Sequence, residues 1–183
     1  MTKFKFDIDK SINALLYIIK ALNKSKTNCD IHKISKILYF AEQQHLVKYG
    51  RPIIGDTYIA MKYGPVPSNV YEIVKFVRGD SAFILTSDDE VKFKLKAVND
   101  YSIEALQEPD LDYFSETDLE CLQNSIEANK NLTFDQLTDK SHGLAYEKVE
   151  CNLAIAIEDI ALEGGASEDM IEYMKVVAEN LYD

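Results

Sequence analysis

Glu42 and His45 stand three residues apart in the run KILYFAEQQHLVKYG, and a second histidine, His142, lies far along the chain. On a helix this spacing sets a carboxylate and an imidazole on one face, where they could share a metal ion or move a proton. Bundle metal sites use two such pairs, and one pair alone is expected to hold no metal and no cofactor. A metal-dependent or hydrolytic enzyme built from His45, Glu42 and His142 is therefore the alternative reading. The chain has no GxGxxG, no GxxxxGK followed by Ser or Thr, no HExxH and no GxSxG, so the commonest nucleotide, metalloprotease and esterase signatures are missing. Cys29, Cys121 and Cys151 are odd in number and form no CxxC pair, which argues against a disulfide framework or a zinc knuckle. Buried free thiols are expected.

The remaining chemistry suits recognition. Tyr39, Phe40, Tyr49, Tyr58, Tyr63 and Tyr71 crowd one third of the chain, and tyrosine combines apolar area with a hydrogen-bonding tip. Tyr63, Gly64, Pro65, Val66 and Pro67 form a stiff segment whose low conformational entropy favours binding. Candidate partner-binding residues are therefore Tyr39, His45, Tyr63, Gly64, Pro65, Val66, Pro67 and Tyr71. Core packing and chain turning account for the same residues equally well.

Helices must position these groups. Ile8, Ile12, Leu15, Leu16, Ile19 and Leu22 recur at helical spacing behind Asp7 or Asp9 as a cap. Asp30 opens a second helix through Ile34, Ile37, Leu38 and Ala41, and Gly50 closes it. Thr57 to Tyr63 alternates as a strand that Gly64 and Pro65 end, and Pro67 fits the first turn of a helix marked by Val70, Ile73, Val74 and Val77. Ala82–Leu85 and Val91–Val98 read as the arms of a hairpin, with Val91, Phe93, Leu95 and Ala97 inward and Lys92, Lys94 and Lys96 outward. Ser115 with Asp118 and Thr133 with Gln136 have capping-box spacing. A helix from Leu153 to Leu162, a break at Gly164 and Gly165, and a helix from Glu168 to Leu181 complete the expected order. In LAIAIEDIAL, Ile155 and Ile157 would also suit a strand. The fold class is α+β and predominantly α-helical, a helical bundle with a small antiparallel β-sheet. A single domain over residues 1–183 is expected, with a possible hinge near 107–112 where charge and pattern change.

The 183 residues carry a net charge of −11, unevenly. Residues 1–96 hold 16 Lys and Arg against 10 Asp and Glu, whereas residues 97–183 hold 4 against 21. Such a split could steer a basic protein partner to one face, or could simply be solvated helix surface. Lys5, Lys10, Lys20, Lys24 and Lys26 lack interleaved aromatics, and the acidic balance disfavours nucleic acid, including a DNA-binding autoregulator. No apolar run suits a membrane span and MTKFKFDIDK lacks a secretory core, so a cytoplasmic location is expected.

KILYFAEQQHLVKYGRPIIGD followed by AMKYGPVPSNVYEIV resembles the Panacea domain, the SocA-like antitoxin family often described as phage-associated. The likeness is closest from Lys36 to Val74, and SHGLAYEKV is similar to the family's later SH motif, with Tyr146 where the family usually has Trp. The resemblance implies a mostly helical fold with a small sheet and no known catalysis. It also implies a role in a toxin–antitoxin system, neutralising a cognate toxin encoded nearby through protein–protein interaction. Members pair with toxins of unrelated kinds, and one type is a proteolytic adaptor that delivers its toxin to an ATP-dependent protease.

Overall fold

A computed structural model describes residues 2–81 and 88–180, with backbone only at 88–90. The chain runs α1 (Ile8–Lys24), α2 (Ile31–Tyr49), β1 (Tyr58–Met61), β2 (Gly64–Pro67), α3 (Ser68–Arg78), α4 (Asp88–Lys94), β3 (Leu95–Asn99) and β4 (Ser102–Ala105). After a 3-10 turn at Leu111–Tyr113 come α5 (Glu116–Asn129), α6 (Phe134–Ser141), α7 (Leu144–Glu147), α8 (Ile157–Glu163) and α9 (Glu168–Asn180). The class is α+β and predominantly helical, with two antiparallel two-stranded sheets among the described residues. No described helix is long and apolar enough to cross a membrane.

Local chemistry sets most helix ends. The Asp7 and Asp30 carboxylates accept from the amides of Lys10 and Lys33, and Gly50 closes α2 at φ +66°. Both capping boxes form, Ser115 with Asp118 on α5 and Thr133 with Gln136 on α6. The main core lies between α1, α2, α3 and α5, from Ile12, Leu15 and Ile19 to Ile37, Val74 and Leu122. A second cluster joins Tyr39, Leu46 and Tyr58 to Ala145, Ile160, Ile171 and Met174. The stretch around 107–112 is tied to α1 by the Asp110 amide on Asn13 Oδ1 (2.9 Å) and by Lys20 with Glu108 (2.7 Å).

Several expectations are corrected. Gly64 and Pro65 do not end the sheet. They begin β2, which folds back on β1 through a turn at Lys62 and Tyr63, pairing Met61 with Gly64, Ile59 with Val66 and Tyr58 with Pro67. The register continues to the Ser68 amide on Thr57 O, so the alternate residues Pro65 and Pro67 sit where a missing N–H removes no rung from the ladder. Helix α3 accordingly starts at Ser68, one residue after Pro67.

The predicted strand at Val91–Val98 is a helix as far as Lys94, and β3 pairs with the unforeseen β4. Val91 and Leu95 are both buried at a spacing of four, whereas Phe93, expected inward, is 68% exposed. Its proposed partner arm, Ala82–Leu85, lies outside the described residues. Helix α8 begins at Ile157, because Asn152–Ile155 first pairs with the open edge of β1: Ala60 N donates to Leu153 O and Ile155 N to Tyr58 O. Of the cysteines only Cys121 is fully buried, with Cys29 half-buried and Cys151 exposed.

No side chain at the start of α3 caps it. Asp56, buried, does so from a distance: its carboxylate accepts from the amides of Asn69 and Val70 (3.0 and 2.9 Å) and from the side chains of Ser68 and Asn69. Replacing an N-cap acceptor costs about 0.5–2 kcal/mol. Asp56→Ala is expected at or above the top of that range, since the buried Val70 amide and the part-buried Asn69 amide both lose their acceptor, and denaturant unfolding at neutral pH measures it.

Candidate functional site

Helix α2 carries the site, and its polar residues point inward. Glu42 is buried, and its two oxygens accept the amides of Ile53 and Ile54 (2.7 and 2.9 Å), closing the 50–56 segment onto the helix. Burial pushes its carboxyl up to about 7, against the pull of those two bonds. His45 is equally buried. Its Nδ1 donates to Arg51 O at 2.6 Å, and its Nε2 lies 3.2 Å from Thr117 Oγ1 and 3.1 Å from Asp118 Oδ1. Asp118 also takes Lys10 Nζ at 2.6 Å and Arg51 at 3.3 Å. Burial raises its carboxyl, but the bonds from His45, Lys10 and Ser115 outweigh that and hold it well below the usual carboxylate range.

Lys36, one turn and a half before Glu42, has its whole length inside, and Nζ donates to Pro65 O at 2.8 Å. Burial brings its ammonium down to about 7. Gly64 crosses directly over it at φ +97°, where a Cβ would stand 2.8 Å from Lys36 Nζ and collide with Ser141 Oγ. Lys36, Gly64, Pro65 and Ser141, distant in sequence, thus meet at one point. Beside them His142 stacks on Tyr146 at 4.1 Å with the rings nearly parallel, and Tyr146 reaches Met61 O at 3.0 Å. Burial and then Lys36 lower the His142 imidazole from its ordinary value.

The eight residues singled out for partner binding divide sharply. Tyr39 and His45 are enclosed, and the Tyr39 hydroxyl donates to Glu163 at 3.1 Å. Gly64, Pro65 and Pro67 are buried, while Val66 and Tyr71 are half-buried. Only Tyr63 presents a large surface, 46% exposed at the hairpin tip, with its ring edge against Phe134 at 5.2 Å. The enzyme constellation does not form a common site: Glu42 and His45 are bonded to the 50–56 segment and α5, whereas His142 packs on Tyr146. No three His, Cys, Asp or Glu side chains among the described residues could hold a metal together.

A family model for the SocA-like antitoxin, the Panacea domain, matches residues 34–147. The chain belongs to the Panacea-domain family. No curated protein and no solved structure matches it. The matched span runs from the first turn of α2 to the end of α7, so it contains Lys36, Glu42, His45, the β1–β2 hairpin, Asp118 and Ser141. In this Panacea domain those residues build the scaffold, and the exposed groups available to a partner lie around them. Sequence reasoning missed Lys36 and Asp56 as organising residues and read Asp118 only as half of a capping box. A buried lysine gives no local signal, and the further partners of Asp118, Lys10, His45 and Arg51, lie far from it in the chain.

Folding from an unfolded-state value near 4.5 to about 7 means that native Glu42 binds the extra proton between those pH values. Its contribution therefore weakens as pH rises through that window. Relative to Glu42→Gln, the wild type is expected to lose up to about 3 kcal/mol of stability between pH 5 and 8. Denaturant unfolding of both proteins across that range tests it. A constant difference, or one of opposite sign, removes the assignment.

Proposed function

We propose that this chain is an antitoxin that neutralises a cognate toxin, encoded nearby, by direct stoichiometric binding in the cytoplasm. The observation that carries this is the family match across residues 34–147. The geometry supports it: the acid–base side chains that an enzyme would need are committed to backbone amides and carbonyls of the scaffold, with Glu42 on Ile53 and Ile54 and His45 on Arg51. A group that must release its structural bonds before touching substrate is a poor general base. Binding requires no such release, only surface.

The neighbouring gene product is the natural partner to test. Expressed alone it is expected to arrest growth, and coexpressed with this chain it is expected to permit growth and to copurify. Absence of both rescue and copurification would overturn the proposal. The half-life of the partner separates two modes of action. A partner that persists in the complex is sequestered, whereas one whose half-life shortens only in cells with an intact ATP-dependent protease is being delivered to it.

A further inference from the structure

An open groove of about 590 Å³ lies between α2, α5, the end of α6 and the start of the α8–α9 turn. Ligand-holding pockets run from about 300 to 1,000 Å³, so it is large enough to seat several side chains. Phe40 and Val47 contribute apolar wall, and Lys140 joins them in the lining.

A relay from the interior holds Lys140 in place. Ser125 Oγ donates to Ile37 O at 2.6 Å, and Asn129 Nδ2 donates to Ser125 O and Oγ at 2.7 and 3.2 Å. With both amide hydrogens spent, Asn129 Oδ1 remains as an acceptor and takes Lys140 Nζ at 2.6 Å. The same ammonium sits 4.4 Å over the Phe40 ring. Both Ser125 and Asn129 are buried, so the exposed lysine is tethered to polar groups fixed in the interior.

Lys140 makes no ion pair among the described residues, although residues 97–183 carry 21 acidic side chains. The other charges of the groove are engaged. Lys48 pairs with Glu120 at 2.6 Å, and the Glu163 carboxylate accepts from Tyr39, Gln43 and the Ala145 amide. Glu163 lines the same groove but is held by neutral donors, so Lys140 remains an ammonium with unspent donors and no ion-pair partner among the described residues.

We propose that this groove receives an extended segment of the toxin and that an Asp or Glu carboxylate of that segment pairs with Lys140 Nζ. The proposal rests on the antitoxin reading above. Charge complementarity selects the occupant: a carboxylate supplies the missing countercharge, and charge-assisted bonds to a held donor lose little entropy. Phe40 and Val47 receive the apolar side chains that flank the acid.

The test uses the full chain with the neighbouring gene product. Lys140→Met keeps the stem over Phe40 and removes the charge, while Lys140→Arg keeps the charge. Titration calorimetry is expected to show about tenfold weaker binding for K140M with a flatter salt dependence, and binding within about threefold of wild type for K140R. Unchanged unfolding midpoints establish that both variants fold. A photo-crosslinking residue placed at Gln44, on the groove wall, is expected to capture the partner, whereas one at Lys96 on β3 is not. If the wild type binds and K140M binds equally well, or Gln44 captures nothing, the groove proposal falls and the antitoxin reading stands. If the wild type itself does not bind, both fall.

Discussion

Helix α2 must carry a lysine, a glutamate and a histidine through the interior, and the rest of the structure is arranged to satisfy them. An unpaired buried charge is costly, so each must end on a hydrogen-bonding group inside the protein. Lys36 ends on Pro65 O, Glu42 on the amides of Ile53 and Ile54, and His45 on Arg51 O and α5. Each bond fastens another part of the chain, strand β2, the 50–56 segment or α5, to α2. The interior polar groups of α2 therefore specify where the 50–56 segment and the hairpin lie, while the apolar core supplies the driving force.

The charge division along the chain is partly resolved within the fold. Lys10 and Arg51 meet Asp118, Lys20 meets Glu108, Lys48 meets Glu120 and Lys96 meets Glu104. Four acids of the second half, Asp118, Glu108, Glu120 and Glu104, thus meet cations of the first, which offsets part of the difference. Lys10 with Asp118 is the enclosed pair. The others are exposed on at least one side, and such pairs contribute about 0–1 kcal/mol each. The acidic excess left over is spread along α5 to α9.

The elements with a local cause were legible in the sequence. Asp7, Asp30, Ser115, Thr133 and Gly50 mark ends that the backbone respects, because a cap and the amide it serves are neighbours in the chain. Misreadings fall where two local patterns compete. Val91, Phe93, Leu95 and Ala97 satisfy alternation, yet Val91 and Leu95 also satisfy a helical turn, and packing against α1 and α3 chooses the latter. Pro65 reads as a strand breaker and Pro67 as a helix opener because sequence does not show which edge of a strand will be unpaired. Of the candidate site, the aromatic and proline residues were visible, but their burial was not. Tyr39 and Tyr63 look alike in sequence, and only the fold puts one inside against Tyr58 and the other at a hairpin tip.

The SHG segment shows why a short motif can depend on residues far beyond it. Gly143 precedes the single turn α7, whose Ala145 amide donates to Glu163 Oε2 at 2.8 Å. A Cβ on Gly143 would collide with that carboxylate, so a side chain there would have to displace a group 20 residues later that is held by hydrogen bonds from Tyr39, Gln43 and Ala145. The other oxygen of Glu163 accepts from Gln43 and from Tyr39, a residue with no surface of its own. One carboxylate thereby joins α2, α7 and α8, although α8 lies outside the span matched by the family model. Displacing it by a larger residue at 143 would release all three contacts at once. The glycine and the enclosed tyrosine are thus two ends of one constraint.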